Sequence, residues 1–217
     1  MPWYRKHGKI LKIITDKEFN EKMQTGDFKS PDHKPYPVLL YYSAVRKTEA
    51  HRSIKEQYEI NEQQNALMFD VGPRLKKLRL KRKGKPLAES TIKELYKKKK
   101  ASMTTPPIPL PLDAPHMNTL LNAIDKAEPG QPIFKFSSKT AYNIIDRVFA
   151  YPHLFRLSRI TWFFMPHPEA QRPRGFSIPE VRNWTGLSLA ALDYYIGLAD
   201  VADMGRAMYQ QQRQQIT

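Results

Sequence analysis

The sequence predicts a mainly α-helical chain with a small antiparallel β-sheet, an α+β fold. Three observations predict it. Apolar residues recur at helical spacing, as in Ala141, Ile144, Ile145 and Val148. Good N-cap residues, among them Thr15, Ser137, Ser177 and Ser188, precede the periodic runs. One apolar run, residues 66–71 (ALMFDV), is too short for a helix and is closed by Gly72-Pro73, so it reads as a strand.

In chain order, residues 3–12 form a basic, aromatic lead. Thr15 or Asp16 caps a short helix, DKEFNEKM, and a polar loop runs from Gly26 to the prolines that bracket Tyr36. Pro37 opens a helix predicted over residues 37–54, with Leu39, Tyr42, Arg46 and Glu49 or Ala50 on one side. After the strand at 66–71, residues 74–85 continue it into a basic ribbon, and residues 89–100 form a helix. The prolines of residues 106–111 (PPIPLP) confine that segment to an edge strand or an extended crossing. A helix over 115–124 carries Met117, Leu120, Leu121 and Ile124, and a turn follows over 127–132. Ser137 and Ser138 cap the next helix, which stops at Tyr151-Pro152. Residues 152–164 (PHLFRLSRITWFF) form another, and residues 167–175 a proline-rich basic loop. Ser177, with Pro179 in the first turn and Glu180 at capping-box spacing, opens a short helix that ends at Thr185-Gly186. Ser188 caps the last helix, and a polar tail closes the chain.

Composition narrows the partner. The 217 residues hold 36 Lys and Arg against 21 Asp and Glu, a net charge of +15, which calls for an anionic partner, most simply nucleic acid. Residues 74–100 hold thirteen basic and two acidic residues, a net of +11. That reads either as a solvated basic segment or as a phosphate-contacting arm. Without cysteine, disulfides and thiolate metal sites are excluded, and a reducing compartment is compatible. The longest apolar runs fall far short of the roughly 18 to 20 residues that span a bilayer. No signal core follows the basic N-terminus, so the expectation is a soluble, intracellular chain with no membrane partner. There is no internal repeat, Gly-rich phosphate loop, HExxH or paired Cys/His, so nucleotide-hydrolysing and zinc readings find no support.

Two arginines stand out. Arg46 lies mid-helix in the predicted 37–54 helix, and Arg156 lies among Leu154, Phe155, Ile160 and Trp162. His153, three residues before Arg156, shares its helix face. A guanidinium in such a setting is costly unless something anionic meets it. The plain alternatives are that Arg156 snorkels or pairs with a core carboxylate, and that Arg46 is a helix-end cation.

Four motifs then follow one another: AVRKTEA around Arg46 with Glu49 three residues on; FDV, a lysine-rich turn and PLPLDAP; YPHLFRLSRI with its His-x-x-Arg; and FSIPEVRNWTGLSL before DYYIG. In this order they resemble the catalytic domain of tyrosine recombinases, most closely the integrases of archaeal viruses and plasmids. The resemblance covers residues 14–201. It implies the DNA breaking-rejoining fold and a metal-independent, cofactor-free DNA strand transfer through a 3′-phosphotyrosyl intermediate. It also implies double-stranded DNA as partner, self-association as dimer or tetramer on DNA, and the cytoplasm of a prokaryotic host. The organisation it implies is a basic lead or linker remnant over 1–13, a catalytic domain over 14–203, and a flexible or exchanged tail over 204–217.

By the resemblance, Arg46, His153 and Arg156 hold the phosphate and Tyr195, seven residues after Ser188, is the nucleophile, with Tyr194 the alternative. Lys76 is the expected general acid, with Lys77 and Lys100 as competitors. Arg74, Lys77, Arg79, Lys81, Arg82 and Lys83 are expected DNA contacts. The family usually has His or Trp after the glycine of its final turn; here Leu187 follows Gly186, and Trp184 is the nearest substitute. The family's N-terminal helical clamp has no counterpart unless residues 1–13 are what remains of its linker. The chemistry supports the assignment independently. Two guanidiniums hold non-bridging phosphate oxygens and stabilise the five-coordinate transition state. The runner-up reading is a non-cleaving DNA-binding protein of the same fold that regulates recombination. A weaker third is an RNA- or ribosome-binding basic protein.

Overall fold

The computed structural model describes residues 3–6, 9–71, 81–82, 85–86, 106–151, 153–165, 175–197 and 199. It is mainly helical with a small three-stranded antiparallel sheet, as the sequence predicts. The basic lead is a hairpin: β1 (Trp3–Lys6) pairs antiparallel with β2 (Lys9–Lys12). Helix α1 (Asp16–Thr25) starts on a complete capping box in which Thr15 and Glu18 exchange bonds at 3.1 and 3.2 Å. It buries Phe19 and Met23, and its last-turn Lys22 donates to the Val148 carbonyl at 2.9 Å.

Helix α2 (Pro35–Ser43) is the centre of the core, with every residue buried. A helix that is apolar all round is stable only when covered on all sides. Its neighbours are α3 (Lys47–His51), α4 (Met117–Asp125), β7 (Ile108–Pro111) and α6 (His153–Phe164). Phe19 stacks on Tyr41 with centroids 3.9 Å apart, and Phe149 and Phe155 close the same aromatic cluster. Each such side chain, fully buried, contributes about 1.5–3 kcal/mol.

The helix predicted over residues 37–54 is two helices. Ala44 takes a left-handed conformation at φ 54° and ends α2. Ser43 satisfies the Leu39 carbonyl with its own hydroxyl at 2.5 Å, which helps the helix stop there. Arg46 is therefore not mid-helix; it precedes the first turn of α3 as its N-cap.

The sheet has the order β3-β4-β7, with β3 at Tyr58–Asn61 and β4 at Ala66–Phe69. The proline-rich β7 lies at the edge, as expected. Strand β3 alternates apolar and polar residues (YEIN) over only four positions, and its burial does not follow the alternation: Glu59 is exposed and Ile60 is 54% exposed. It is fixed by register, Tyr58 opposite Phe69 with rings stacked at 4.6 Å. In the basic ribbon, β5 (Lys81–Arg82) pairs with β6 (Lys85–Pro86). The helix expected over 89–100 and the basic loop of 167–174 lie outside the described residues.

Helix α5 (Ser138–Phe149) is capped by Ser137, and the chain turns at Ala150, with φ 82°, into α6. The short helix α7 (Ile178–Thr185) has its predicted capping box and ends at Gly186, left-handed at φ 61°. Residues 189–197 form α8. Helix α6 lies between two apolar clusters. Leu154 and Phe155 enter the main core, while Leu157, Ile160 and Phe163 pack with Val181, Leu192 and Tyr195. Among the described residues no helix is long and apolar enough to cross a membrane.

Burial pushes the hydroxyls of Tyr36, Tyr41 and Tyr58 well above the usual tyrosine value, and Tyr42 up to about 12. Below about pH 10 folded and unfolded chains bind the same tyrosine protons; above it the unfolded chain loses protons that the folded chain keeps. Unfolding free energy from urea titration is expected to fall above about pH 10, with a slope that approaches about 1.4 kcal/mol per pH unit for each buried tyrosine. A flat profile would contradict the burial of these hydroxyls.

Candidate active site

Two helix ends and one cation build the site. The last carbonyls of a helix have no partner within it. Arg156, buried at 4% exposure, donates through Nη1 to the Ala44 carbonyl just past α2. Through Nη2 it donates to the Thr185 carbonyl at the end of α7, at 3.0 Å. A cation between two helix C-termini is also favoured by both dipoles. The expectation that Arg156 needs an external anion to be tolerated is corrected: backbone carbonyls already meet it in the free protein.

This tie brings the sequence-predicted residues together. Arg46 lies two residues past Ala44, and it is partly open, with 34% of its side chain exposed. Glu49 accepts from its Nη1 at 2.7 Å and from its backbone N–H at 2.7 Å, so one carboxylate orients the whole residue. Tyr195, on α8, faces both guanidiniums. Burial raises its hydroxyl pKa above the usual value, while the nearby Arg156 and Arg46 cations oppose the rise. The Arg156 guanidinium is correspondingly lowered by burial and by Arg46, with Glu49 and Tyr195 acting the other way. Arg46, Glu49, Arg156 and Tyr195 thus form one electrostatic unit, drawn from three distant parts of the chain.

His153 opens α6, exposed, one turn ahead of Arg156 on the same helix. Tyr194 packs edge-on against Tyr195 at 5.2 Å and lies among the partly buried apolar groups of the second cluster. Leu187 belongs to that cluster too, as does Trp184, whose ring contacts Phe163 at 5.4 Å and Phe176 at 5.0 Å. Trp184 is therefore a packing residue of that cluster. Lys81 and Arg82 lie on β5, whereas Arg74, Lys76, Lys77, Arg79, Lys83 and Lys100 lie outside the described residues. Among the described residues no group of three or more His, Asp or Glu side chains could hold a metal ion.

Sequence reasoning did not single out Arg159. It is the second arginine in the same apolar run, and that repetition was the available signal. It also did not find the Ala44 and Thr185 carbonyls, since backbone acceptors leave no mark in residue type.

Comparison with family models, with curated proteins and with solved structures returned no match.

Removing Arg156 strands two carbonyls, whereas removing Arg46 breaks a partly exposed pair. Arg156→Met is expected to lower unfolding free energy by about 2–4 kcal/mol. Arg46→Met is expected to lower it by about 1 kcal/mol or less. Equal losses in urea denaturation would refute the structural role given to Arg156.

Proposed function

We propose that the chain is a DNA strand transferase of the tyrosine-recombinase type, a site-specific recombinase or integrase domain. The observation that carries the reading is the meeting of Arg46, Arg156 and Tyr195, which are unrelated in sequence position, at one partly open cationic place. A phosphodiester at Arg46 would be held by planar donors, with Arg156 behind it and the phenol of Tyr195 alongside. The Tyr195 oxygen forms a bond to phosphorus and the bond from phosphorus to the 5′ oxygen breaks. The phenol proton leaves to His153 or water, and a lysine of the basic segment, Lys76 by the motif, protonates the 5′ oxygen. The guanidiniums stabilise the charge that builds on the five-coordinate phosphorus. The phosphotyrosyl bond retains the energy of the broken one, so a second strand can displace the enzyme without ATP.

Tyr195 is only 5% exposed, so its hydroxyl reaches a phosphate only when the surrounding α8 segment shifts. The net charge of +15 supports duplex DNA as the partner. The second reading, a non-cleaving DNA-binding protein that regulates recombination, draws on Leu187. It places an apolar side chain where a phosphate donor is expected, and it packs into the second cluster.

A nicked suicide DNA duplex separates the two. The strand-transferase reading expects a covalent protein–DNA complex on a denaturing gel, absent in Tyr195→Phe and retained in Tyr194→Phe. Arg46→Ala should slow its formation by about a hundredfold or more. Tight, salt-sensitive DNA binding with no covalent complex would establish the non-cleaving alternative instead.

A further inference from the structure

A cavity of about 320 Å³ lies beside the second apolar cluster, between α2, the sheet, α6 and α7. Tyr42, Trp162, Phe163, Phe176 and Trp184 wall it. Its size falls at the small end of the about 300–1,000 Å³ typical of ligand sites, and its aromatic lining suits a flat apolar body.

Arg159 lines this cavity from α6. Its guanidinium stacks on Trp162, 3.9 Å from the ring centroid, with the Phe163 and Tyr42 rings at 5.5 and 5.8 Å. Its Nε is buried and has no hydrogen-bond partner. Buried donors are ordinarily satisfied, and a charged one left without an acceptor is costly. Asp16 acts on Arg159 electrostatically, but no hydrogen bond joins the two; the hydroxyl of Tyr41 donates to the Asp16 carboxylate at 2.5 Å. The other polar lining is mostly neutral: Gln64 and Asn65 in the turn between β3 and β4, with Asp113 exposed. Arg156 solves the same problem with two carbonyls; Arg159 has no such acceptor among the described residues.

We propose that this cavity is a binding site for a small, flat organic carboxylate, its ring between the tryptophans and its carboxylate accepting from Arg159. The site is distinct from the Arg46–Arg156–Tyr195 unit, and the proposal stands whether or not the chain cleaves DNA.

The test is isothermal titration calorimetry of the full chain with naphthalene carboxylate, naphthalene carboxamide and inorganic phosphate. The carboxylate is expected to bind one-to-one, with the carboxamide and phosphate each weaker by about tenfold or more. Arg159→Met should erase the preference for carboxylate over carboxamide. Gln64→Trp, a change in an exposed turn, should narrow the mouth and weaken the carboxylate several-fold. It decides the matter where Arg159→Met fails to fold. Absence of binding, equal affinity for carboxylate and carboxamide, phosphate as tight as the carboxylate, or affinity unchanged in Gln64→Trp would each overturn the proposal.

Discussion

The arrangement depends on one buried guanidinium joining two helix ends. Arg156 takes the Ala44 carbonyl from the end of α2 and the Thr185 carbonyl from the end of α7. Both acceptors exist because each helix stops on a left-handed residue, Ala44 in one case and Gly186 in the other. Neither carbonyl could be satisfied within its own helix. The segments that follow carry Arg46 and, through α8, Tyr195. The interaction that stabilises the fold therefore also sets the geometry of the candidate site.

The electrostatics follow from that placement. Arg46 sits close enough to Arg156 to disfavour the buried guanidinium's charge, and Glu49 offsets that repulsion while fixing Arg46 as the cap of α3. Tyr195 is held protonated by burial even beside two cations. A phenol in that state is a poor nucleophile until charge, solvent access or position changes. Such a change is what an arriving phosphodiester and a shift of α8 would bring under the strand-transfer reading.

Much of the fold was legible because it rests on local chemistry. The capping box at Ser177, the caps at Thr15 and Ser137, the stop at Gly186 and the edge placement of the proline-rich strand are all consequences of residue type at fixed spacing. Three features were not legible. The break at Ala44 requires a left-handed alanine, and no residue type announces one. Strand β3 is four residues with an exposed isoleucine, and it is held by pairing with β4 and by Tyr58 stacked on Phe69. The acceptors of Arg156 are backbone atoms, so the arginine reads in sequence as a charge in search of an anion. Within the site, Arg46, Glu49, Arg156 and Tyr195 were legible as motif members. Arg159 was visible as a residue, but its unsatisfied Nε emerges only from packing.

The candidate site depends on Tyr195 lying within electrostatic reach of both Arg156 and Arg46. Carbon-labelled tyrosine, followed by NMR through alkaline titration, reports the ionisation of this hydroxyl directly. With Arg46 replaced by methionine the Tyr195 midpoint should move up, because a nearby cation that favours the phenolate is gone; Arg156→Met should move it up as well. A midpoint unchanged in both variants would contradict the central claim, since Tyr195 would then lie outside the reach of either guanidinium.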